Sequence, residues 1–593
     1  MLNMKHGGHV QDAIEDTSLD TPFDYLLPAL KSQPGTKIPG DPVKVTADLK
    51  ALGAAMIEAQ AGDPTDPPVN LNSPIPAIYT YWGQFIDHDM TANTDRTSEI
   101  SDVTKSPIEP TDPNVVAAKL RNKRRPTFDL DSMYGNGPGL TDGFYQPDPG
   151  PADEGFYDGI RFRLGENADV PGIPGVKIPP EDDLTRDLPR IGTLLDDGII
   201  SLDELPDSLK NDPGHRTRPM IGDLRNDENL IVAQLHLAML RFHNEVANHV
   251  EANLGAFGLD ADASDAERFQ LARRLTRYHY QWLVVHDYLK TVTMPGIVDS
   301  ILLGGNKHYA PLPSGELFAP IEYSVAAFRF GHTMVRGAYD WNRNFGRPEP
   351  AGAPVVANVA TFADMFRFTG NGHQIDAADI TKSVRDPFRG LPTLPFNWPA
   401  EWNRMTNKLD PNPAHMARRI DTRLVDPIHN MVNEGTANTG TPQDDAGKPV
   451  RQLLRSLAQR NLLRGYGLSL PTGQATAAAM GVAALSADEL QQGNSDALNT
   501  VLTDGGFLDH TPLWYYVLKE AEVRAGGKCL GELGSRIVVE TQIGIMRHDP
   551  NSYLNDARGA WDPSRGVKLE DGTVDGGAIV TIRDLLAFAK LRA

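Results

Sequence analysis

A single cysteine, Cys529, is the feature that most limits what this chain of 593 residues can fold into. One thiol cannot form an internal disulfide framework, and it cannot supply the several thiolates of a zinc or iron–sulfur site. Any metal or redox chemistry must therefore rest on histidine, carboxylates or a bound cofactor. The fold must be stabilised mainly by core packing, for which the 40% of hydrophobic residues is sufficient.

The charge balance excludes one large class of partner. The chain carries 78 acidic and 57 basic residues, a net charge of −21, whereas nucleic-acid binding needs clustered Lys and Arg. The N-terminal residues lack the apolar core of a signal peptide, and residues 1–22 are expected to be a flexible tail. No stretch reaches the roughly 18–20 apolar residues of a membrane span. The sequence therefore favours a soluble protein, either cytoplasmic or exported by a non-classical route.

Helical periodicity dominates the chain, so the predicted fold class is mainly α, with few short strands. Length alone allows about four domains or one large domain. Stretches rich in Pro, Gly and Asp at 32–74, 136–189 and 433–449 are expected to be long loops. The predicted helices are 78–90, 228–250, 267–289, 451–464 and 511–525.

Two segments carry the clearest chemistry. In Tyr81–Met90 (YWGQFIDHDM), Gln84 and His88 are four residues apart and share a helix face, with Asp87 and Asp89 on either side of the histidine. Such a histidine is costly to bury without partners, although a core histidine is the simpler alternative. In 127–135 (TFDLDSMYG), alternating carboxylates and loop carbonyls suit calcium, with an ordinary Asx turn as the alternative.

Three further segments each place polar residues in an apolar setting, and each alone also fits a surface ion pair or a packed core residue. They are Arg225 and Glu228 in GDLRNDE, His332 in FRFGHTMV, and Asn461 and Arg464 in RNLLRG.

Taken together and in this order, the five segments resemble the peroxidase–cyclooxygenase superfamily, the animal haem peroxidases, and most of all its bacterial branch. The resemblance runs from FDYLLP at Phe23 to TIRDLLAFA near the C-terminus. It implies one large haem peroxidase domain over 23–593 that binds haem b and one calcium ion. It also agrees with the single cysteine, because the iron in this family is held by histidine.

The resemblance assigns roles on both sides of the haem. It implies that His88 is the distal histidine, Gln84 the distal glutamine that shapes the halide and water site, and Arg225 the distal catalytic arginine. Asp87 and Glu228 correspond to carboxylates that form haem esters in mammalian members. On the proximal side, His332 is the implied iron ligand, Asn461 accepts a hydrogen bond from its other nitrogen, and Arg464 pairs with a haem propionate.

The resemblance also implies a calcium site beside His88. Asp89 is the implied ligand from the helix, and the loop from Arg125 to Asp131 supplies the rest. Within it, Thr127 contributes a backbone carbonyl, and Asp129 and Asp131 contribute side chains. Arg125 stands where the family has Thr, and Asp131 where it has Ser, so a side-chain oxygen is lost at one position and gained at the other.

The implied activity is reduction of hydrogen peroxide through an oxo-ferryl intermediate, with oxidation of halides, thiocyanate or small phenols. Asn229 replaces the Met of members with a haem sulfonium link, so bromide, iodide or thiocyanate is expected to react more readily than chloride. A fatty-acid oxygenase is an alternative, but its radical-forming Tyr, three residues before the proximal His, is Arg329 here. A non-catalytic adhesion protein on the same fold is the second alternative. A metal hydrolase using His236 and His243 is disfavoured because no HExxH motif is present.

Overall fold

The computed structural model describes most of the chain. The described residues are 21–58, 71–92, 99–135, 145–147, 157–169, 175–178, 183–205, 210, 215–367, 369, 393–406, 415–431, 443–569 and 577–591. Residues 1–20 of the expected tail lie outside them, whereas Thr21 and Pro22 belong to the first strand.

The described part of the chain is mainly helical, as predicted from the sequence. Its α-helices are α1 Pro42–Ala55, α2 Ile78–Met90, α3 Pro113–Lys119, α4 Asp131–Tyr134, α5 Ile191–Asp196, α6 Leu230–Ala252, α7 Asp265–Leu283, α8 Lys290–Val292, α9 Ile297–Gly304, α10 Phe362–Arg367, α11 Asn403–Thr406, α12 Asp426–His429, α13 Lys448–Arg455, α14 Leu457–Gly467, α15 Gly473–Ala479, α16 Ala487–Gln491, α17 Asp496–Asp504, α18 Leu513–Ala525, α19 Glu532–His548 and α20 Ile582–Phe588.

The strands are short and pair in small sheets. They are β1 Thr21–Asp24, β2 Asn72–Pro76, β3 Arg121–Asn122, β4 Tyr145–Pro147, β5 Tyr157–Phe162, β6 Ala319–Pro320, β7 Ala338–Tyr339, β8 Ala360–Thr361 and β9 Met416–Arg418. β1 lies between β3 and β6, antiparallel to β3 and parallel to β6. β2 pairs with β9, β4 with β5, and β7 with β8, all antiparallel. These strands tie distant parts of the chain together around the helices.

The helices differ from the predicted ones where local signals override periodicity. The expected loop 32–74 contains α1, which begins at Pro42 with the Asp41 side chain as N-cap. The expected helix 451–464 is two helices, because the Ser456 backbone is extended and its side chain caps α14. The expected helix 267–289 ends as α7 at Leu283 and continues as a π-helix over Val284–Leu289.

Helix α6 forms the centre of one large hydrophobic core. Its side chains are buried around almost the full circumference, and α7 and α2 both pack against it. Helix α2 also packs against a 3₁₀ segment, Ala327–Met334, which contains His332. The core therefore holds the two candidate histidine segments against each other.

Candidate active site

A cavity is lined by α2, the 3₁₀ segment and neighbouring helices, and its empty space, including the opening to solvent, is about 770 Å³. Its polar lining includes Gln84, Asp87, His88 and His332. Most of the remaining wall is apolar or aromatic, formed by Tyr81, Tyr288, Phe328, Val335, Phe362, Phe366, Ile428, Met431 and Leu457. A mostly apolar wall with a few polar groups is typical of a site for an organic ligand.

The polar side chains of α2 lie on two different faces of the helix. Gln84, Asp87 and His88 line the cavity, whereas Asp89 is fully buried and faces the loop before α4. Gly83 allows α2 to approach the π-helix closely, because a Cβ there would overlap the Tyr288 hydroxyl. The segment 84–89 of α2 therefore lines the cavity with one face and contacts the loop before α4 with another.

His88 is 3% exposed and belongs to a chain of three side chains. Its Nδ1 lies 2.8 Å from Asn226 Oδ1, and Asn226 Nδ2 lies 2.8 Å from Nδ1 of His236. Its Nε2 is 3.9 Å from a carboxylate oxygen of Glu228. Burial, followed by the nearby Arg225 charge, lowers the pKa of His88, against the opposing effect of Glu228, Asp223 and Asp87. The imidazole is therefore held neutral, as a base requires.

Arg225 is fixed behind His88 by Asp223. The Asp223 side chain caps the 3₁₀ turn Leu224–Asp227 and forms an ion pair with Arg225 at 2.7 Å. Arg225 Nη2 also donates to the His88 carbonyl at 2.9 Å. Burial alone would raise the pKa of Asp223, but Arg124 and Arg225 hold it well below its usual value. The described cavity lining does not include Arg225, so its approach to a substrate stays a prediction.

Gln84 is held by both of its amide atoms. Its Nε2 donates to Glu228, and its Oε1 accepts from Asn229 Nδ2 at 3.0 Å. Asn229 also caps α6, because its Oδ1 accepts from the backbone of Val232 at 3.0 Å. The start of α6 and the cavity face of α2 are therefore one hydrogen-bonded unit.

On the other wall, His332 Nδ1 lies 2.8 Å from Nδ2 of Asn461 on α14. The structure thus brings together the predicted pair, but the amide presents its nitrogen where an accepting oxygen was expected. With the nitrogen there, Asn461 donates and the imidazole proton lies on Nε2. Arg464 is buried on the same helix, three residues further on, and is not among the described lining residues.

Asp87 connects the two walls of the cavity. Its Oδ1 accepts from Thr91 Oγ1 at 3.0 Å, and its Oδ2 lies 3.8 Å from Arg329 Nη1. Arg329 occupies the position three residues before His332, so its charge is balanced by a carboxylate from α2.

The predicted calcium residues lie together on the far side of α2. Asp89 Oδ2 accepts from the backbone of Leu130 at 3.3 Å, and Asp129 accepts from Thr127 Oγ1 at 2.7 Å. Asp89 Oδ1 and both Asp131 carboxylate oxygens are buried without a hydrogen-bond partner among the described residues. Burial, then the charges of Asp131 and Asp129, raises the pKa of Asp89. Arg125 is exposed.

Within the described residues, no three His, Cys, Asp or Glu side chains form a metal-binding group by themselves. A cation at this place would therefore depend on loop carbonyls in addition to the carboxylates.

Sequence reasoning missed part of this network. Asp223 and Asn226 were not among the predicted site residues, and Asn229 was considered only as the residue in place of Met. The capping pattern before α6 was the available signal. His236 was interpreted as an ordinary helix residue. Only the fold brings it to Asn226, since its spacing on α6 carries no hint of the contact.

Two solved structures share the fold of this chain. Peroxidase A from Dictyostelium discoideum superposes with a TM-score of 0.52 at 15% identity, over 91% of this chain and 89% of that chain. A fatty acid alpha-dioxygenase from Oryza sativa gives a TM-score of 0.50 at 12% identity, over 95% and 79%. At these identities the likeness shows the fold alone, and the chain has the fold that these haem peroxidases and dioxygenases share.

The sequence match is narrower. The family model for animal haem peroxidase matches residues 195–378, a segment that contains Arg225, Glu228 and His332. The match covers less than half of the chain and shows that this segment is similar to that family. The Dual oxidase of Drosophila melanogaster is 30% identical over 154 residues, 25% of this chain and 9% of that protein. The chain spans less than half the length of the curated relatives it matches.

Among the described residues, no helix has the length and apolar character needed to cross a bilayer.

Proposed function

We propose that this chain is a haem peroxidase that reduces hydrogen peroxide and oxidises small donors. The observation that carries the proposal is the placement of His88 and His332 in one apolar cavity of about 770 Å³. Each imidazole has an asparagine amide at its Nδ1.

The residues present fit a haem. The cavity is large and mostly apolar, and its single proximal imidazole has the amide partner that orients metal-binding histidines. Binding of iron at His332 Nε2 requires the imidazole proton on Nδ1, where an accepting Asn461 Oδ1 would hold it. A turn of the Asn461 amide by 180° supplies that acceptor. Arg464 is the basic residue proposed to pair with a propionate.

The bound haem would supply the electrons that cleave peroxide and would recover them from donors. The protein's part is proton transfer. His88 Nε2 would accept a proton from one peroxide oxygen and return it to the leaving oxygen. Arg225, fixed by Asp223, would stabilise negative charge on that oxygen. Gln84, held at both ends, would position water or a halide.

We further propose a calcium ion at the residues predicted from the sequence. Asp89 and Asp131 support it, because three buried carboxylate oxygens lack partners among the described residues. A cation would balance charges whose burial is otherwise costly. The Thr127 carbonyl and Asp129 complete the proposed ligands, and Arg125 contributes no side-chain oxygen. The ion would fix the end of α2 one residue from His88.

The covalent state and the donor are further proposals. Asp87 lines the cavity and Glu228 contacts Gln84, so both are candidates for haem esters. Asn229 has no thioether sulfur, so no sulfonium link is expected, and bromide, iodide, thiocyanate or phenols are the proposed donors. Extraction with acidified butanone after peroxide treatment tests the esters: retained haem supports them, and full extraction excludes them.

A fatty-acid oxygenase is the second candidate because the fold is also that of the rice dioxygenase. Against it, Arg329 stands at the radical position and is paired with Asp87. The test is a donor panel on the haem-loaded full chain. Peroxide-dependent oxidation of bromide or a phenol supports the peroxidase, whereas oxygen uptake with a fatty acid and no peroxidase turnover overturns it.

A further inference from the structure

Asn226 forms a bridge between two buried imidazoles. Its Oδ1 lies 2.8 Å from His88 Nδ1, and its Nδ2 lies 2.8 Å from His236 Nδ1. Asn226 and His236 are fully buried and His88 nearly so. With no solvent at the bridge, the amide is the group that decides where the protons of both rings lie.

The direction of the amide fixes the tautomer of His88. A neutral imidazole has one donor and one acceptor nitrogen, and an amide oxygen can only accept. With Oδ1 facing His88, Nδ1 must carry the proton and Nε2 is bare. The nearest carboxylate oxygen to Nε2, on Glu228, is 3.9 Å away, which is beyond hydrogen-bond distance. The basic nitrogen is therefore left available to the cavity.

His236 is what holds the amide in that direction. Its Nδ1 accepts from Asn226 Nδ2, and burial lowers its pKa to about 3, so the ring is neutral and able to accept. Its Nε2 has no hydrogen-bond partner among the described residues, and Phe85 packs edge-on at 6.0 Å between ring centroids. Among the described residues, Asn226 is thus the one polar contact of a ring that is otherwise enclosed by packing.

We propose that Asn226 and His236 are positioning residues that hold His88 in the tautomer with a bare Nε2. Neither residue is itself part of the cavity lining, and both act through His88, which is. The inference rests on the proposed function for its catalytic consequence, but the tautomer itself is a property of the chain. A base that is already in the correct tautomer accepts a proton without a prior rearrangement.

The variants separate the two hydrogen bonds. Asn226→Leu removes both, and Asn226→Asp keeps the oxygen that accepts from His88 Nδ1 while removing the donor to His236. His236→Phe keeps an aromatic ring against Phe85 and removes the anchor of the amide. His243→Phe, two helical turns further along α6, is the matched control. His243 bonds to Tyr134 and the Ile160 carbonyl, and not to Asn226.

The experiment uses the haem-loaded full chain with cyanide as the probe. Hydrogen cyanide must give up its proton to bind as an anion, so its association rate reports the base without turnover. Asn226→Leu is expected to slow association about 10- to 100-fold, with Asn226→Asp near the wild-type rate and His243→Phe unchanged. Equal rates for wild type and Asn226→Leu, or an Asn226→Asp as slow as Asn226→Leu, would overturn the proposal.

A second readout does not depend on haem. In the full chain labelled with ¹⁵N-histidine, the His88 signals are expected to show a protonated Nδ1 in wild type and Asn226→Asp. A protonated Nε2 in wild type would mean that the amide faces the other way and would overturn the proposal. If this tautomer is observed but the haem-loaded chain does not react with peroxide, the proposed function is wrong. The positioning role of Asn226 and His236 is then still supported.

Discussion

The two histidines of the cavity have the same kind of partner in opposite orientations. His88 faces the oxygen of Asn226, whereas His332 faces the nitrogen of Asn461, both at 2.8 Å through Nδ1. Asn226 is anchored from behind by His236, while Asn461 Oδ1 has no hydrogen bond recorded among the described residues. The distal amide is therefore fixed, and the proximal amide is able to turn towards an accepting orientation.

The residues that surround the two histidines also differ. The distal side is a charged network in which Asp223, Arg225, Gln84 and Glu228 all have partners. The proximal segment packs among aromatic rings, with Phe328 stacked on Tyr323 at 4.7 Å and the Trp514 indole donating to the Arg329 carbonyl. In the proposed function, the first side moves protons, which requires polar neighbours, and the second side holds a ligand, which requires packing.

The largest expected effect comes from replacing the histidine of the distal side. His88→Leu should slow the reaction of the haem-loaded chain with peroxide by about 10²- to 10⁴-fold, because the proton acceptor is lost. Stopped-flow absorbance measures this rate, and haem affinity should be unchanged. His308→Leu, at a half-buried histidine that does not line the cavity, is the control. A His88→Leu rate within a factor of two of wild type would contradict the role.

The next prediction concerns the calcium ion that is proposed to fix the end of α2. A ligand held at 100 times its Kd stabilises the folded state by about 2.7 kcal/mol. Chelation of calcium should therefore lower the melting temperature by about 2 °C, because a chain of this size has a large unfolding entropy. Asp131→Asn should remove most of that dependence. Asp102→Asn, in a turn that bonds Thr104, is the control. A melting temperature that is unchanged by both chelator and added calcium would show that no such ion binds.

The proximal side should respond in haem affinity. Asn461→Leu leaves His332 Nδ1 without its partner and is expected to weaken haem binding about 10- to 100-fold. Asn461→Asp, which can only accept, should bind haem at least as tightly as wild type. Gln459→Leu on the same helix removes an amide contact to the Lys50 carbonyl and serves as the control. If Asn461→Leu instead slowed peroxide and left haem affinity intact, the contrast between the two sides would fail.

A separate effect, on unfolding and not on haem chemistry, is the pH dependence of stability. Burial lowers the pKa of His236 to about 3, so the unfolded chain binds this proton more tightly than the folded chain. Stability from this group is present above the unfolded pKa of about 6.5 and falls as pH drops from there towards 3, by about 1.4 kcal/mol per pH unit. His236→Phe should flatten the loss of unfolding free energy between pH 6 and 4. His510→Phe, at a partly exposed histidine, should not.

Much of this architecture could be predicted from the sequence, because periodic helices and five ordered segments carry it. Helix α2 appears with the predicted bounds, and the helical class is confirmed. Capping signals could have corrected α1 and the break at Ser456. The contacts of His236 with Asn226, and of Arg329 with Asp87, depend on how helices pack, and no local pattern encodes the direction of an amide.

The most direct test of the account is an absorbance titration of the full chain with haem. His332 as the iron ligand predicts a saturable Soret band with a histidine-ligated spectrum. In His332→Gly the band should be weak and shifted, and added imidazole should restore it. The absence of a Soret band in wild type, or an unchanged spectrum in His332→Gly, would contradict the central claim.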